Sequence, residues 1–365
     1  MKLKRDDLRQ ALRLVAYVRP AGREFPLLEY VLLQARAGEF SLTATDQETV
    51  ITHGDMNHPT VVSLVPPKRL LAILGELTGE TVELLKRKSQ LLVSDEASQF
   101  ELAVPDVAGF PRHNAPDAGR WYVVAAAELK AALRLTLFAV AESSGRYAIE
   151  GVLLDFRDAD TLVLVTTDSR RLAVAPVECE CAGEPDRDVQ AVLPQQTGML
   201  LQRLLPDDGT CRFAFGLTGG IVFEFGPVRV VSRLLEGAFP RWRSVLLDSG
   251  GTDTPISFVS GDVASVLRQA AITTSEESNA VDVSISESGI SAASHASDVG
   301  RSQITRALPF DHSAEFRVCP GHLLEMLTAV GPDQELTLDY IDSEAPLLFS
   351  RDDGYRFLQM PLGKE

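Results

Sequence analysis

The chain repeats its pattern of apolar and polar positions. Asp7-Leu8-Arg9-Gln10-Ala11-Leu12-Arg13 returns 121 positions later as Glu128-Leu129-Lys130-Ala131-Ala132-Leu133-Arg134. A further 134 positions on, it returns as Asp262-Val263-Ala264-Ser265-Val266-Leu267-Arg268. Each segment opens with an acid, which suits a helix N-terminus. Each sets apolar residues at its second and sixth positions, one helical turn apart, and each ends in arginine. In the first copy Leu8, Leu12 and Val15 extend the stripe at i, i+4, i+7, the spacing of a helix that buries one side. The pattern predicts a helix at the head of each of three repeats.

Other markers recur in the same order. Glu29-Tyr30-Val31-Leu32-Leu33 is matched by Glu150-Gly151-Val152-Leu153-Leu154, 121 positions on, and both read as buried strands. Thr45-Asp46 is matched by Thr167-Asp168, and Phe110-Pro111-Arg112 by Phe239-Pro240-Arg241. Pro67, Pro194 and Pro320 each precede a Leu-Leu pair, at spacings of 127 and 126. Proline fits the first turn of a helix, where its missing N–H has no partner to lose. Residues 90–93, 99–104, 162–166, 222–225 and 228–233 are short, rich in valine, phenylalanine and leucine, and predict strands. Each repeat therefore reads helix, strands, helix, strands. The fold class is α+β, three tandem copies of a helix-plus-antiparallel-sheet domain. Linker composition near 118–120 and over 249–255 divides the chain into 1–119, 120–250 and 251–365.

Composition changes this picture little, and charge changes it more. The chain has 365 residues, 45% hydrophobic and 24% charged, enough for domains with real cores. Its net charge of −16 argues against nucleic acid only if the charge is evenly spread. It is not. Residues 1–23 carry seven basic and two acidic residues, a local +5 that leaves −21 for the rest. Arg5, Arg9 and Arg13 share one face of the first helix, off its apolar stripe. Lys130 and Arg134 take the places of Arg9 and Arg13 in the second copy, and Arg268 alone remains in the third. The second helices add Lys68, Arg69 and Arg203. On one helix this would be an ordinary solvated face. Repeated at equivalent places in an acidic chain, it suggests a surface that meets phosphates.

Catalytic signatures are absent from the sequence: no phosphate loop, no Gly-x-Gly-x-x-Gly, no Gly-x-Ser-x-Gly and no His-Glu-x-x-His. His53 and His58 flank Gly54–Asn57 in what reads as a loop, and read as structural or surface histidines rather than a metal pair. Asp46 and Asp168 either act as catalytic carboxylates or end a strand and cap a turn; their repetition favours the caps. Cys179, Cys181, Cys211 and Cys319 show no zinc spacing and no disulfide framework. Cys179-Glu180-Cys181 reads as ordinary thiols, with metal binding or redox switching as its alternative. No catalytic residue, metal or cofactor is expected. No apolar stretch follows the N-terminal Met-Lys-Leu-Lys-Arg-Asp-Asp, and no window approaches eighteen apolar residues, so the expectation is a soluble, cytoplasmic protein with no membrane partner.

Four stretches carry a resemblance that covers the whole chain. They are Phe138-Ala139-Val140 leading to Arg146-Tyr147 and Gly151-Val152-Leu153; Thr167-Asp168-Ser169-Arg170-Arg171-Leu172-Ala173; Leu235-Glu236-Gly237-Ala238-Phe239-Pro240; and Met360-Pro361-Leu362. With the threefold repeat, they resemble the bacterial sliding clamps, the beta subunits of DNA polymerase III. The resemblance implies a DNA polymerase processivity factor without catalytic activity. It implies a homodimer closed head to tail into a ring, helices lining the hole, sheets outside and double-stranded DNA threaded through. It implies partners that insert a short peptide into an apolar pocket: the clamp loader, the replicative polymerase alpha subunit and other proteins bearing a clamp-binding motif. The pocket would comprise Ile149, Thr167, Ser169, Arg170, Arg171, Leu172, Pro240, Val245, Met360, Pro361 and Leu362. DNA would meet Arg9, Arg13, Arg23, Lys130, Arg134 and Arg203. The protomer contact would set Phe100 and Leu102 against Ile272 and Thr273.

The chain departs from the family at the pocket. The family's usual Thr-Asp-Gly-His-Arg-Leu reads Thr-Asp-Ser-Arg-Arg-Leu, with Ser169 and Arg170 replacing Gly-His. His322 stands for a tyrosine, Arg317 or Cys319 for an asparagine, and Ser278 for a phenylalanine. These departures bear on peptide preference, not on fold. A protein-binding scaffold of the same fold without DNA function, and a hydrolase using Asp46 or Asp168, are the competing readings.

Overall fold

A computed structural model describes residues 1–18, 25–111, 118–143, 147–158, 160–181, 190–216, 219–249, 254–275 and 279–363. Arg23, Arg146 and Ser278 lie outside the described residues. Seven α-helices are described: α1 (Arg5–Val15), α2 (Pro67–Glu76), α3 (Ala126–Thr136), α4 (Gln195–Leu204), α5 (Trp242–Ser249), α6 (Ser260–Ala270) and α7 (Pro320–Val330). The three helical repeat segments fall inside α1, α3 and α6. Their apolar stripes are buried: Leu8, Leu12 and Val15; Leu129 and Leu133; Val263 and Leu267. Pro67 and Pro320 open α2 and α7 as expected. Pro194 instead closes the strand Gln190–Pro194, and α4 starts one residue later.

Contacts divide the chain into two compact units, and the division runs through the middle repeat. The first unit comprises Met1–Ala127, Glu180–Gly183 and Arg203–Leu234. It contains a four-stranded antiparallel sheet in the order Lys2–Lys4, Thr81–Arg87, Gln90–Ser94, Gln99–Ala103. It also contains a nine-stranded sheet in which Val228–Arg233 pairs with Thr49–His53, Val230 opposite Ile51. That pairing joins strands of the first and second repeats into one sheet.

The second unit comprises Glu128–Cys179, Glu184–Gln202 and Leu235–Glu365. It has an eight-stranded sheet in which Arg171–Glu178 pairs with Arg356–Gln359, Leu172 opposite Leu358, joining the second and third repeats. It also has a four-stranded sheet ending in Gly300–Arg306. Sharing sheets in this way covers strand edges that each repeat would otherwise leave bare. The small sheet of the first unit has Lys2–Lys4 and Gln99–Ala103 as its terminal strands, and that of the second has Gly300–Arg306 and Ala314–Val318.

Candidate functional site

The turns after Thr45 and Thr167 have the same construction. Asp46 accepts from the N–H groups of Glu48 (3.1 Å) and Thr49 (2.7 Å), and Thr45 Oγ1 accepts from Gln47 N–H (3.0 Å). Asp168 accepts from the N–H groups of Arg170 and Arg171, both at 3.0 Å, and Thr167 Oγ1 accepts from Ser169 N–H (3.1 Å). The third turn residue is left-handed in both, with φ 85° at Gln47 and 74° at Ser169. Both aspartates are thus committed to their own backbone, the role their repetition suggested.

The second turn is the base of the candidate groove. Asp168 Oδ2 also accepts from Arg171 Nε at 2.9 Å. Arg171 is buried; it donates from Nη2 to the Phe138 carbonyl (2.7 Å), lies over the Phe138 ring, and pairs through Nη1 with Glu325 on α7. With each of its three nitrogens bonded within the chain, Arg171 braces the turn. The next residue, Leu172, belongs to a buried cluster with Ala148, Leu153, Val174, Trp242, Leu348 and Leu358, against which Leu235, Phe239 and Leu246 pack. Around this floor lie exposed apolar side chains, Val245 and Met360 at 43% each and Leu362. The C-terminal segment is stitched in place: Met360 N–H donates to the Arg170 carbonyl (2.9 Å), and Leu362 N–H to that of Arg317 (2.7 Å).

The expected pocket residues therefore separate by role. Thr167 and Arg171 build the turn, Ile149 and Leu172 are buried, and Pro240 and Pro361 are half-buried. Ser169, Arg170, Val245, Met360 and Leu362 face solvent. His322, in the first turn of α7, is half-buried; burial, with Arg171 second, holds its pKa below the ordinary value. Cys319 precedes α7, and its carbonyl accepts from the Gln359 side chain (3.0 Å).

Helix α5 was not anticipated from sequence. Its eight residues follow directly on the Phe239-Pro240-Arg241 marker and run into the linker, too short for a periodic signal. A buried anchor sets it: Trp242 Nε1 donates to Asp155 Oδ2 at 3.0 Å, and Arg243 pairs with the same oxygen at 3.6 Å. Asp155 lies mid-strand in an apolar run, and only its polarity there could have marked it. One helical turn beyond Trp242, Val245 is exposed.

The cationic helix positions also differ among themselves. The Arg5 guanidinium is bound to the Leu77 carbonyl and to Asp6. Arg9 is half-buried beside Gly75 of α2, and Lys130 is half-buried. Arg13 and Arg134 are exposed, as is Arg268. Arg203 is exposed but stacks on the Tyr17 ring, 4.0 Å from its centroid. Among the expected protomer-contact residues, Phe100 is 36% exposed while Leu102, on the same strand face, is buried, so an apolar face runs out along a terminal strand. Ile272 is 74% exposed. Thr273 is committed within its own unit, its hydroxyl bonded to Ser294 (2.6 Å) and Ser302 (2.8 Å).

A polar turn pinned by arginine, an apolar floor and an extended C-terminal segment make up the candidate site, and they sit on a repeated helix-and-sheet fold, the architecture of the clamp class. Residues 1–114 match the N-terminal domain of the DNA polymerase III beta subunit, and residues 123–241 match its central domain. The beta sliding clamp of Chlamydia trachomatis is 25% identical, covering 99% of this chain and 86% of its own length. That of Pseudomonas putida is 26% identical, covering 99% and 98%. The crystal structure of the Pseudomonas aeruginosa sliding clamp with ligand superposes with a TM-score of 0.88 at 24% identity, covering 100% of this chain and 99% of that one. The chain belongs to the bacterial DNA polymerase III beta subunit family, the sliding clamps, whose role is that of a processivity factor and not of a catalyst. Among the described residues no helix is long and apolar enough to cross a membrane.

Proposed function

We propose that two copies of this chain close head to tail into a ring around duplex DNA, and that the ring tethers the replicative polymerase to its template. The observation that carries the reading is that Gln99–Ala103 and Gly300–Arg306 are terminal strands of the two small sheets, the first with Phe100 exposed on it. A terminal strand presents an edge that another chain can extend. A head-to-tail contact that closes makes a ring rather than a filament. Phe100 and Leu102 of one protomer would extend their apolar face against Ile272 and Thr273 of the next. The three repeats would be domains 1–119, 120–250 and 251–365, six per ring.

Inside the ring, Arg9, Arg13, Arg23, Lys130, Arg134 and Arg203 would face the phosphates. A ring holds DNA by topology, so weak contacts without sequence preference suffice and leave it free to slide. The clamp loader, the polymerase alpha subunit and other clamp-binding proteins would dock peptides in the groove of Arg170, Leu172, Pro240, Val245 and Met360, in the cytoplasm. No cofactor has a part in this mechanism.

The test is solution mass by light scattering, followed by retention on nicked circular against linear DNA with a clamp loader. A dimer retained on circles and lost from linear ends establishes the ring. A monomer at all concentrations, never retained, overturns it.

A further inference from the structure

A cavity of about 450 Å³ lies in the second unit, walled by α3, the strand Arg171–Glu178 and the turn over 351–355. It is apart from the candidate groove: Pro176, in its wall, is five residues, roughly 17 Å, along that strand from Arg171. Its volume falls within the range of about 300–1,000 Å³ found for small-molecule sites. One wall carries a hydroxyl with nothing to bond. Tyr355 is 1% exposed and lines the cavity, and its phenol oxygen has no hydrogen-bond partner among the described residues. Native proteins seldom leave a buried hydroxyl so, because it has given up water without a replacement. Burial holds the Tyr355 pKa well above the ordinary tyrosine value, so the phenol keeps its proton.

Charge is the second observation. Three carboxylates, Glu128, Glu178 and Asp353, line the cavity against one cation, Arg351. Arg351 pairs with Asp353 and lies over the Tyr355 ring, 5.7 Å from its centroid. Glu128 and Glu178 have no ion pair among the described residues, so two negative charges stay unmatched. Ala131, Leu135 and Pro176 add apolar wall. We propose that this cavity binds an aliphatic diamine or polyamine. Glu128 and Glu178 draw its ammonium groups, the apolar wall takes its methylene chain, and one N–H donates to the Tyr355 oxygen. An anion is repelled here, and a neutral ligand leaves both glutamates unmatched. A metal ion fits less well, since no metal-binding group of three ligating side chains is found among the described residues.

The experiment titrates the full-length chain, free of DNA, with spermidine, 1,6-diaminohexane and the neutral 1,6-hexanediol by calorimetry. Salt at about 0.15 M screens diffuse attraction to a chain of net charge −16. Both amines should saturate one site, and the diol should not bind. Glu128→Gln with Glu178→Gln should weaken spermidine by more than about tenfold. Tyr355→Phe, which keeps the ring and removes only the hydroxyl, should weaken it roughly three- to tenfold. Ala131→Trp, which fills the cavity and leaves its charge alone, should abolish binding. Urea midpoints without amine show which variants fold; should Ala131→Trp fail, the glutamate and tyrosine variants decide. Absence of a saturable site, or a diol that binds as tightly as the diamine, overturns the proposal. Affinity unchanged by the glutamate variants also overturns it, as attraction to the whole chain. Loss in the glutamate variants with none in Tyr355→Phe overturns it too, because the amine then stays on the surface and water alone serves the phenol.

Discussion

The indole N–H of Trp242 donates at 3.0 Å to Asp155, a carboxylate with no solvent exposure, 87 positions earlier in the chain. With the Arg243 pair, this bond ties the first turn of α5 to the strand that carries Asp155. Trp242→Phe keeps the apolar bulk but leaves a buried acceptor short of a donor, a loss of about 1–3 kcal/mol. The variant should unfold at a lower urea midpoint with unchanged m-value and bind groove peptides more weakly. Unchanged stability would show that the contact does not hold α5.

Arg171 is the second support. Removing it by Arg171→Met leaves Asp168 without its side-chain donor and Glu325 without its cation. A fully buried pair would lose about 3–5 kcal/mol when broken. Glu325 is 53% exposed and can rehydrate, so the loss should be smaller, about 2–3 kcal/mol. The double variant Arg171→Met with Glu325→Gln should recover part of it. Strict additivity of the two changes in denaturant titrations would show that the pair is not coupled.

The repeat was legible in the sequence because buried helix stripes and turn caps are local patterns. Leu8 and Leu12, Leu129 and Leu133, and the Thr-Asp turns announce themselves within a few residues. The sheets were not, since the pairing of Leu172 with Leu358 joins positions 186 apart and no local period encodes it. That is also why the repeats read as separate while their sheets are shared. At the groove, the residue types in the Thr167–Leu172 stretch and the C-terminal segment could be placed by resemblance. Their division into turn builders, floor and exposed rim could not, because it depends on Asp155, Glu325 and the carbonyl of Phe138. None of these has a sequence signature.

Ser169 sits at φ 74°, a conformation that costs an L-residue roughly 1–2 kcal/mol and glycine almost nothing. Glycine returns part of that advantage through its freer unfolded chain, so Ser169→Gly should stabilise by about 0.5–1 kcal/mol. Gln47→Gly, at the matching turn of the first repeat with φ 85°, should behave alike. Both are measured by thermal unfolding. A loss of stability in both would mean that side-chain contacts at these turns outweigh the backbone strain.

His322 gives the second unit a pH dependence of definite sign. Burial is the largest cause holding its pKa below the ordinary 6.5, followed by Arg171; Asp168 and Glu325 oppose the shift, and Arg170 adds to it. The unfolded chain therefore takes up this proton first as pH falls. The stability due to neutral His322 is whole above about pH 6.5 and is lost progressively below it. His53, in the first unit, is lowered in the same direction, again chiefly by burial. Stability should therefore fall between about pH 6.5 and about pH 5, before the carboxylates titrate. His322→Gln should remove part of this slope, and adding His53→Gln should remove more. Urea midpoints across the window decide the matter: an acid slope as steep in the double variant as in the parent would place its origin in other groups.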